Sequence, residues 1–446
     1  MFRFIIQVIV VILLSSCRKK EGTVPTKSLE RQTGKHHIFL VHGIGGDHSH
    51  FGSMKPALLR VLPSEDTSTD YDVHYIEYDT KNNQKTIEDF SIDMNEIIIK
   101  KVGSNPSDDI RISIVMHSQG GLIGCIWLFR SLTSVEHYSP QLMDNLDYFM
   151  TFGTPFWGAK TAIFAKKIKE DFSKIGVDLP IPFGTTQLEY MEFASDWSYS
   201  MRKAIISGAT TDEFADLMKH MFVLNVAATA DVLKPLGHFV SGGSQYEDDS
   251  AVPLPSSRLN FIYNDNGTDK EINLAPYRLV QALHLSPLPE ESTLYGIVQI
   301  PKKCIENPYC DHPTFELIWK SLLGRYTDLK PTTKKKLFSF MIDLNVVVSK
   351  EVAHEMIEVQ LLARNGMKLQ NSNVVLSSTE LYAQGSKRSQ KYKNMHRFYF
   401  NGSFKESSDG DSEELLLRIT IPRYPTKDIP IIVQRGYSSF IDIQMQ

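Results

Sequence analysis

The chain has 446 residues, of which 42% are hydrophobic and 22% are charged, and its formal net charge is −4. A chain of this length and composition can bury a large core and fold as more than one domain, which argues against a disordered protein. Because there is no excess of basic residues, the composition does not support nucleic-acid binding. We therefore expect a globular protein without a nucleic-acid partner.

The N-terminal residues have the organisation of an export signal. Arg3 precedes an apolar stretch over residues 4–14, which small residues and Cys17 follow. The stretch is short for a membrane span and predicts a signal peptide over residues 1–16. The segment Leu-Ser-Ser-Cys resembles a bacterial lipobox, whose cysteine carries lipid; an uncleaved signal anchor and simple secretion are the alternatives. The resemblance implies an exported, membrane-anchored lipoprotein at the periplasmic face or the cell surface, with residues 17–35 as a flexible tether.

A glycine-rich segment follows the first apolar run of the main body. Residues 36–41 predict a short buried strand, and Gly43, Gly45 and Gly46 come directly after it. Glycines leave the backbone amides of a turn uncovered by side chains. Such a loop can present N–H groups to a negatively charged oxygen.

Ser118 has the most informative surroundings in the chain. It follows an apolar run over residues 110–115 and precedes Gly120 and Gly121. This pattern predicts a buried strand, a sharp turn with the serine at its tip, and then a helix. The start of that helix would place N–H donors and the positive end of its dipole beside the hydroxyl. Ser118 is therefore the candidate nucleophile.

A third motif, Gly-Thr-Pro-x-x-Gly over residues 153–158, follows the predicted strand at 146–150. With strand-His-Gly-apolar-Gly and strand-x-His-Ser-x-Gly-Gly before it, this set resembles the lipase and serine-esterase branch of the α/β-hydrolase superfamily over about residues 35–325. The resemblance implies that the backbone N–H groups of Ile44 and Gln119 form an oxyanion hole.

The chain departs from the family pattern at two positions. Met116 stands where the family usually has glycine or another small residue, and Phe156 where it often has histidine. A methionine there could crowd the turn against its neighbouring strand.

Strands alternate with helical patterns through the first part of the chain. The predicted strand at 71–78 and the helical segment at 86–102 favour a mostly parallel sheet with helices on both faces. The segment 156–220 is mostly helical in pattern and is predicted to be a cap inserted over the site. We assign residues 36–325 to the α/β-hydrolase domain.

The catalytic acid should follow the serine, since the order in this fold is serine, acid, histidine. Asp231 lies at the end of a predicted strand over residues 221–230. Asp249 is favoured because residues 248–253 resemble the lipase segment Asn-Asp-Gly-x-Val-Pro. Asp231 and Asp248 remain alternatives.

Two histidines compete for the role of base. A predicted strand over residues 277–283 places His284 at its C-terminal end, where α/β folds carry functional side chains. His312 begins a segment with the apolar spacing of a helix, and a triad histidine often lies shortly before the closing helix. We favour His284 and keep His312 as the alternative.

The cysteines agree with an exported protein. Cys304 and Cys310 have a spacing that a small disulfide loop can close, and Cys125 lies in an apolar helical pattern as a buried thiol. Two thiols and one adjacent histidine do not predict a zinc site.

After residue 325 the pattern changes to short β-branched or alternating runs. Such runs separated by polar turns predict a small all-β sandwich over residues 333–446. No catalytic grouping occurs there, and the sequence does not identify a partner for it.

Together these features predict a membrane-tethered serine hydrolase of lipid-like carboxylic esters, with Ser118, His284 and Asp249 as its triad and no metal or organic cofactor. An acyltransferase or a deacylase of a lipid-linked glycan would use the same triad. A non-catalytic surface lipoprotein that binds a partner through its β-domain is the alternative outside the enzymes.

Overall fold

A six-stranded parallel sheet forms the centre of the molecule. The computed structural model describes residues 34–159, 162, 184–193, 195–207, 221–229, 248–286, 290, 295–326, 338–363, 394–404 and 412–446. The first eight strands are β1 Lys35–Val41, β2 Asp70–Ile76, β3 Ile110–His117, β4 Leu146–Phe152, β5 Phe222–Thr229, β6 Phe261–Asp265, β7 Thr268–Ile272 and β8 Tyr277–Gln281. The central sheet has the order β2-β1-β3-β4-β5-β8, and all its pairs are parallel.

Helices cover both faces of this sheet. They are α1 Met54–Glu65, α2 Ile87–Val102, α3 Gln119–Leu132, α4 Thr185–Met191, α5 Asp196–Ser207, α6 Leu254–Ser257, α7 Lys303–Glu306 and α8 Phe315–Leu322, with 3₁₀ turns at His48–Phe51, Pro140–Met143 and His354–Met356. The α2 and α3 helices share one apolar cluster, and α1 and α8 share another. Because both faces are covered, β5 is buried at every position, as its continuous apolar run predicts.

Local signals in the sequence explain where α2 begins and ends. The Thr86 hydroxyl accepts a hydrogen bond from the backbone N–H of Asp89, and the Asp89 carboxylate accepts one from the backbone N–H of Thr86. Lys100 and Lys101 occupy the last turn, where the negative end of the helix dipole favours positive charge. The parallel sheet covered by helices on both faces confirms the predicted α/β fold class.

The described part of the predicted cap consists of α4 and α5. Most of the remaining residues between 160 and 220 lie outside the described ranges. None of the helices within those ranges is long and apolar enough to cross a bilayer.

Two further sheets form the C-terminal sandwich. Its strands include β9 Phe338–Val348, β10 Glu358–Ala363, β11 Met395–Phe404, β12 Ser412–Thr420, β13 Lys427–Gln434 and β14 Ser438–Met445. One sheet has the order β10-β12-β13, and the other has the order β11-β9-β14-β6-β7. Apolar side chains of both sheets, such as Leu344 and Leu417, share one buried cluster.

The β6–β7 hairpin corrects the expected domain division. The sequence analysis assigns these strands to the hydrolase domain, but β6 pairs in parallel with β14 and belongs to the C-terminal sheet. The polar sequence of β7 gives no alternation of apolar residues that would have predicted the hairpin. A boundary between residues 325 and 333 therefore does not separate the two sheet systems.

The cap and the sandwich meet in a buried interface. Arg202 of α5 lies 3.3 Å from the Asp343 carboxylate of β9, and its guanidinium stacks 4.2 Å from the Trp157 ring. Both charged side chains are almost completely buried. Phe193 stacks on Tyr399 with ring centroids 4.2 Å apart. The cap is thus held between the hydrolase sheet and the C-terminal strands.

Candidate active site

Ser118 stands at a strained turn between β3 and α3. Its backbone has φ 54° and ψ −125°, a left-handed conformation that non-glycine residues rarely adopt. Its N–H donates to the carbonyl of Phe152 at the end of β4, and its carbonyl accepts from the N–H of Gly121. The hydrogen bonds at both ends hold the serine at the tip of the turn.

Two glycines allow this turn to fit against the loop that follows β1. A β-carbon on Gly43 would lie 2.8 Å from the Ser118 β-carbon and 3.3 Å from its hydroxyl oxygen. A β-carbon on Gly120 would lie 2.5 Å from the carbonyl oxygen of Val41. Neither position has room for a side chain. The glycines of the first two motifs therefore bring the loop backbone directly beside Ser118.

A third glycine accommodates Met116. A β-carbon on Gly124, in α3, would lie 2.1 Å from the Met116 sulfur. The methionine thus occupies the space that a larger residue at position 124 would need, and it is completely buried. The departure from the family pattern is compensated within the adjoining helix, and the turn at Ser118 is retained.

His284 lies between Ser118 and Asp249. Its Nε2 is 2.8 Å from the Ser118 hydroxyl oxygen, and its Nδ1 is 2.8 Å from Oδ2 of Asp249. The second carboxylate oxygen, Oδ1, accepts backbone N–H groups from Ala251 at 3.1 Å and Val252 at 2.8 Å. Both carboxylate oxygens of Asp249 therefore have hydrogen-bond partners, and the residue is 1% exposed.

The loops that carry the acid and the base are also joined through their backbones. The N–H of His284 donates to the carbonyl of Asp249 at 2.7 Å, and Nε2 of His117 lies 3.1 Å from the carbonyl oxygen of His284. Gly153 packs against the pair, because a β-carbon there would lie 2.9 Å from Asp249 Oδ2. Its φ is +57°, a second reason for glycine. The Gly-Thr-Pro motif thus leaves space for Asp249 and His284.

The two predicted oxyanion donors lie in the segments that flank the serine. Ile44 follows Gly43 in the loop, and Gln119 is the first residue of α3. Their role in holding an oxyanion stays a prediction. The buried side chain of Gln119 donates to Oε1 of Gln187 in the cap at 3.2 Å, and Gln187 donates to the carbonyl of Thr80 at 3.0 Å.

Three histidines that the sequence analysis gave no role surround the site. His117 has its ring centroid 4.6 Å from that of His284, and His50 lies 6.0 Å from His117. Burial, with smaller contributions from His42 and His284, lowers the pKa of His50 to about 4. Burial also lowers the pKa of His117 and His42. These rings stay neutral near pH 7 and add no positive charge beside Ser118. Only the position of His117 next to the serine could have indicated its place.

The alternative base His312 and the alternative acid Asp248 have other partners. His312 is buried with Nε2 3.0 Å from the carbonyl oxygen of Gly296 and Nδ1 3.3 Å from the backbone nitrogen of Thr314. Asp248 accepts the N–H of Ser250 at 2.9 Å. Asp231 lies outside the described residues. The structure therefore brings His284 and Asp249 to Ser118, and it gives His312 and Asp248 other partners.

The cysteines are arranged as the spacing suggests. Cys304 and Cys310 form a disulfide with their α-carbons 5.3 Å apart, and Cys125 is a buried free thiol. Burial raises the pKa of Cys125 to about 12, which makes it unreactive. Cys17 lies outside the described residues.

Comparison with known proteins agrees with this description. Residues 31–169 match the sequence model of the family described as "Putative serine esterase (DUF676)". No curated protein matches the chain. The fold is similar to that of phospholipase PlaB from Legionella pneumophila, with a TM-score of 0.65 and 13% identity over 92% of this chain and 94% of that one.

Two further solved structures are similar. A second structure of PlaB, in complex with thio-NAD, has a TM-score of 0.62 and 12% identity over 92% of this chain and 94% of that one. The mature lipase BlEst2 from Bacillus licheniformis has a TM-score of 0.36 and 16% identity over 64% of this chain and 91% of that one. The parallel sheet, the turn at Ser118 and the likeness to PlaB give this chain an α/β-hydrolase fold, and its residues 31–169 match a family of putative serine esterases.

Proposed function

We propose that this protein hydrolyses carboxylic esters of lipids through a triad of Ser118, His284 and Asp249. The observation that carries the proposal is the unbroken line of contacts from the serine hydroxyl through both nitrogens of His284 to a buried carboxylate. A serine hydroxyl is a weak nucleophile without a base in hydrogen-bond contact. The base in turn needs a fixed orientation, which Asp249 and the backbone contact between the two loops provide.

In the proposed reaction, His284 Nε2 takes the hydroxyl proton as Ser118 Oγ bonds to the ester carbonyl carbon. The carbonyl electrons move to its oxygen, and Asp249 stabilises the protonated imidazole. The tetrahedral intermediate then collapses, and the alcohol leaves with the proton from His284. Water attacks the acyl-serine by the same route and releases the acid. Residues of this chain supply each proton transfer.

The backbone N–H groups of Ile44 and Gln119 are the proposed donors to the oxygen that becomes negative. The first belongs to the glycine loop in contact with Ser118, and the second opens a helix whose dipole is positive at this end. Donors of this kind stabilise a transition state without reorganising during the reaction. Removing one side-chain donor of this type in other enzymes slows catalysis by about 10²–10³-fold.

We favour lipid esters, and phospholipids among them, for two reasons. The fold matches phospholipase PlaB over both the hydrolase sheet and the C-terminal strands. The N-terminal segment that ends at Cys17 also resembles a lipobox, and lipidation there would hold the protein at a membrane surface. Exported proteins anchored in this way meet their lipid substrates at the bilayer.

The experiment that tests the proposal combines an active-site probe with a substrate panel. A fluorophosphonate should label the wild-type protein and fail to label Ser118→Ala. The panel should contain phospholipid vesicles, triacylglycerol emulsions and p-nitrophenyl esters of increasing chain length. We expect hydrolysis of long-chain esters, with free fatty acid as the product.

Other outcomes would contradict the proposal. Labelling of Ser118→Ala at the wild-type rate would exclude Ser118 as the nucleophile. Transfer of the acyl group to an added alcohol in preference to water would identify an acyltransferase. A folded wild-type protein that neither labels nor hydrolyses any ester would favour a binding protein.

A further inference from the structure

Three side chains of types that commonly ligate metals lie close together on the first two strands of the parallel sheet. His37 belongs to β1, and Asp72 and His74 belong to the edge strand β2. His37 is paired in register with Asp72, and His74 lies two residues further on, on the same face of the strand. The parallel pairing of β1 and β2 therefore brings together three residues that are separate in the sequence.

This cluster is not part of the candidate active site. His37 is near the beginning of β1, whereas the loop that contacts Ser118 follows the other end of the strand. At about 3.3 Å per residue, His37 and His42 are roughly 16 Å apart along the strand direction. The triad makes no use of these side chains.

The distances between the ligand atoms are close to those of a metal site. His37 Nδ1 lies 2.9 Å from His74 Nε2, and His74 Nε2 lies 3.4 Å from Asp72 Oδ2. One ligand atom from each of the three residues lies within 4.8 Å of the others. Ligands about 2.0–2.2 Å from a tetrahedral zinc ion are about 3.3 Å apart, so shifts of several tenths of an ångström would admit the ion.

The surroundings fix the imidazoles and leave the carboxylate adjustable. His37 and His74 are 4% and 7% exposed, and the Phe39 ring packs 5.0 Å from the His74 ring. The Asp72 side chain is 40% exposed, and its present cationic neighbour is the Lys35 ammonium at 3.7 Å. The Lys35 side chain is 41% exposed, so it can move into solvent when another cation takes the carboxylate.

We propose that His37, Asp72 and His74 bind a divalent transition-metal ion of the zinc class, with water completing the coordination. Two imidazoles and one carboxylate suit Zn²⁺, whereas Mg²⁺ and Ca²⁺ favour sites made of oxygen ligands. The bound ion joins the edge strand to β1, because the ligands come from both strands. Its role is to secure the edge of the sheet.

The test uses the full chain after treatment with a chelator. Zn²⁺ binding is measured by competition with a fluorescent indicator, bound metal by mass spectrometry, and the unfolding temperature with and without Zn²⁺. We expect one Zn²⁺ per chain at this site and a higher unfolding temperature, because a ligand that binds the folded state stabilises it. Mg²⁺ at the same concentration should leave the unfolding temperature unchanged.

Matched variants distinguish Zn²⁺ binding at this site from Zn²⁺ binding by other histidines. Asp72→Asn keeps the size of a half-exposed side chain and should weaken Zn²⁺ binding about tenfold or more. Asp70→Asn removes the same charge from the same strand beside the same lysine, at a 75% exposed side chain, and should bind Zn²⁺ like the wild type. His354→Asn alters another histidine pair, His354 and His396, whose Nδ1 atoms lie 3.2 Å apart, and should also bind normally.

Circular dichroism shows whether each variant is folded before binding is compared. Equal Zn²⁺ affinity of Asp72→Asn and Asp70→Asn would overturn the proposal, as would a wild-type protein that binds no Zn²⁺. Substituting Co²⁺ gives a further criterion, since tetrahedral Co²⁺ has strong visible absorption and Asp72→Asn should lose it.

Discussion

The backbone N–H of His284 donates to the backbone carbonyl of Asp249 at 2.7 Å, beside the contact between their side chains. The loop after β8 and the loop before α6 are therefore joined even when the carboxylate is altered. As a result, the two side chains can be exchanged for neutral analogues without separating the loops, and the catalytic and structural effects of such variants can be measured separately.

Asp249→Asn should keep the fold and lose nearly all activity. The amide cannot stabilise a protonated His284, and it favours the wrong tautomer of the imidazole, so we expect kcat to fall by about 10⁴-fold. The measurement is kcat on a soluble ester, with the unfolding temperature recorded for each protein. Asp248→Asn is the matched control one residue earlier and should retain most of the activity. Equal losses in the two variants would contradict the assignment of the acid.

Gly153→Ala should impair catalysis through a direct collision. The new β-carbon would lie 2.9 Å from Asp249 Oδ2 and 3.1 Å from His284 Nδ1, which pushes the acid and the base apart. A displacement near 1 Å at a catalytic group lowers kcat by roughly 100-fold. Gly103→Ala is the control, since its φ of +87° gives similar backbone strain but no atom lies within 4 Å. If both variants kept wild-type kcat, Gly153 would have no part in spacing the pair.

His312→Gln should change the pH dependence of stability and spare catalysis. Burial lowers the pKa of His312 to about 4, with hydrogen bonding to Gly296 opposing the shift. The unfolded state takes up the proton near pH 6.5, so stability is full above that pH and is lost as the pH falls towards 4. The contribution at neutral pH is about 3 kcal/mol.

Urea unfolding of wild type and His312→Gln at pH 7.5 and pH 5 measures this effect. The difference between the two pH values should be smaller in the variant by an amount on the order of 2 kcal/mol, because pH 5 is still above the folded-state pKa of about 4 and only part of the full effect is lost there. Esterase activity at pH 7.5 should remain within about twofold of the wild type, since His312 does not contact Ser118. Loss of activity without loss of stability would return His312 to the list of candidate bases.

Arg202→Met should destabilise the protein strongly, because it removes the guanidinium that lies 3.3 Å from the buried Asp343 carboxylate. Breaking such a pair costs about 3–5 kcal/mol. Replacing both residues, with Met at position 202 and Leu at position 343, should recover a large part of this loss, since the buried carboxylate is then removed together with the guanidinium that contacts it. Urea unfolding measures all three proteins. A double variant no more stable than Arg202→Met would show that the ion pair itself is not responsible.

Cys17→Ala tests the predicted lipid anchor. If the sequence around Cys17 is a lipobox, the variant should move from the membrane fraction to the soluble or unprocessed pool of the cells that express it. Fractionation followed by immunoblotting measures the change, and the esterase activity of the purified variant should equal that of the wild type. Cys125→Ala is a control that removes a buried thiol and should leave the distribution unchanged. A Cys17→Ala protein that stays with the membrane would exclude lipidation as its anchor.

The sequence was informative where one local pattern determines the structure. Continuous apolar runs predict the buried strands β1, β3 and β5, and the glycines around Ser118 predict a turn that only small residues can form. The choice of Asp249 over Asp248 depended on the resemblance to a lipase segment. Two neighbouring aspartates differ in the direction of their side chains, which the sequence does not give. In the structure Asp249 lies against His284, whereas Asp248 accepts the N–H of Ser250.

Features that depend on pairing between distant residues were not predictable in this way. The sequences of β6 and β14 contain no feature that predicts their pairing. The contact between His37 and His74 depends on the register of β1 and β2. The buried Arg202 resembles any polar residue on a helix until its partner on β9 is known. Each of these features comes from three-dimensional proximity between segments with ordinary sequences.

The position of β14 has a consequence for the order in which the parts of this protein fold. It lies between β9 and β6, and Arg258 contacts Tyr437 across 179 residues of sequence. Pairings over such separations form slowly, because closing a long loop precedes any gain from the contact. The strand that completes this sheet also packs Phe440 against Tyr199 of the cap. We therefore expect refolding to pass through a species in which the parallel sheet is formed but the cap is not yet packed against the C-terminal strands. Esterase activity should return only in the slow kinetic phase in which β14 pairs.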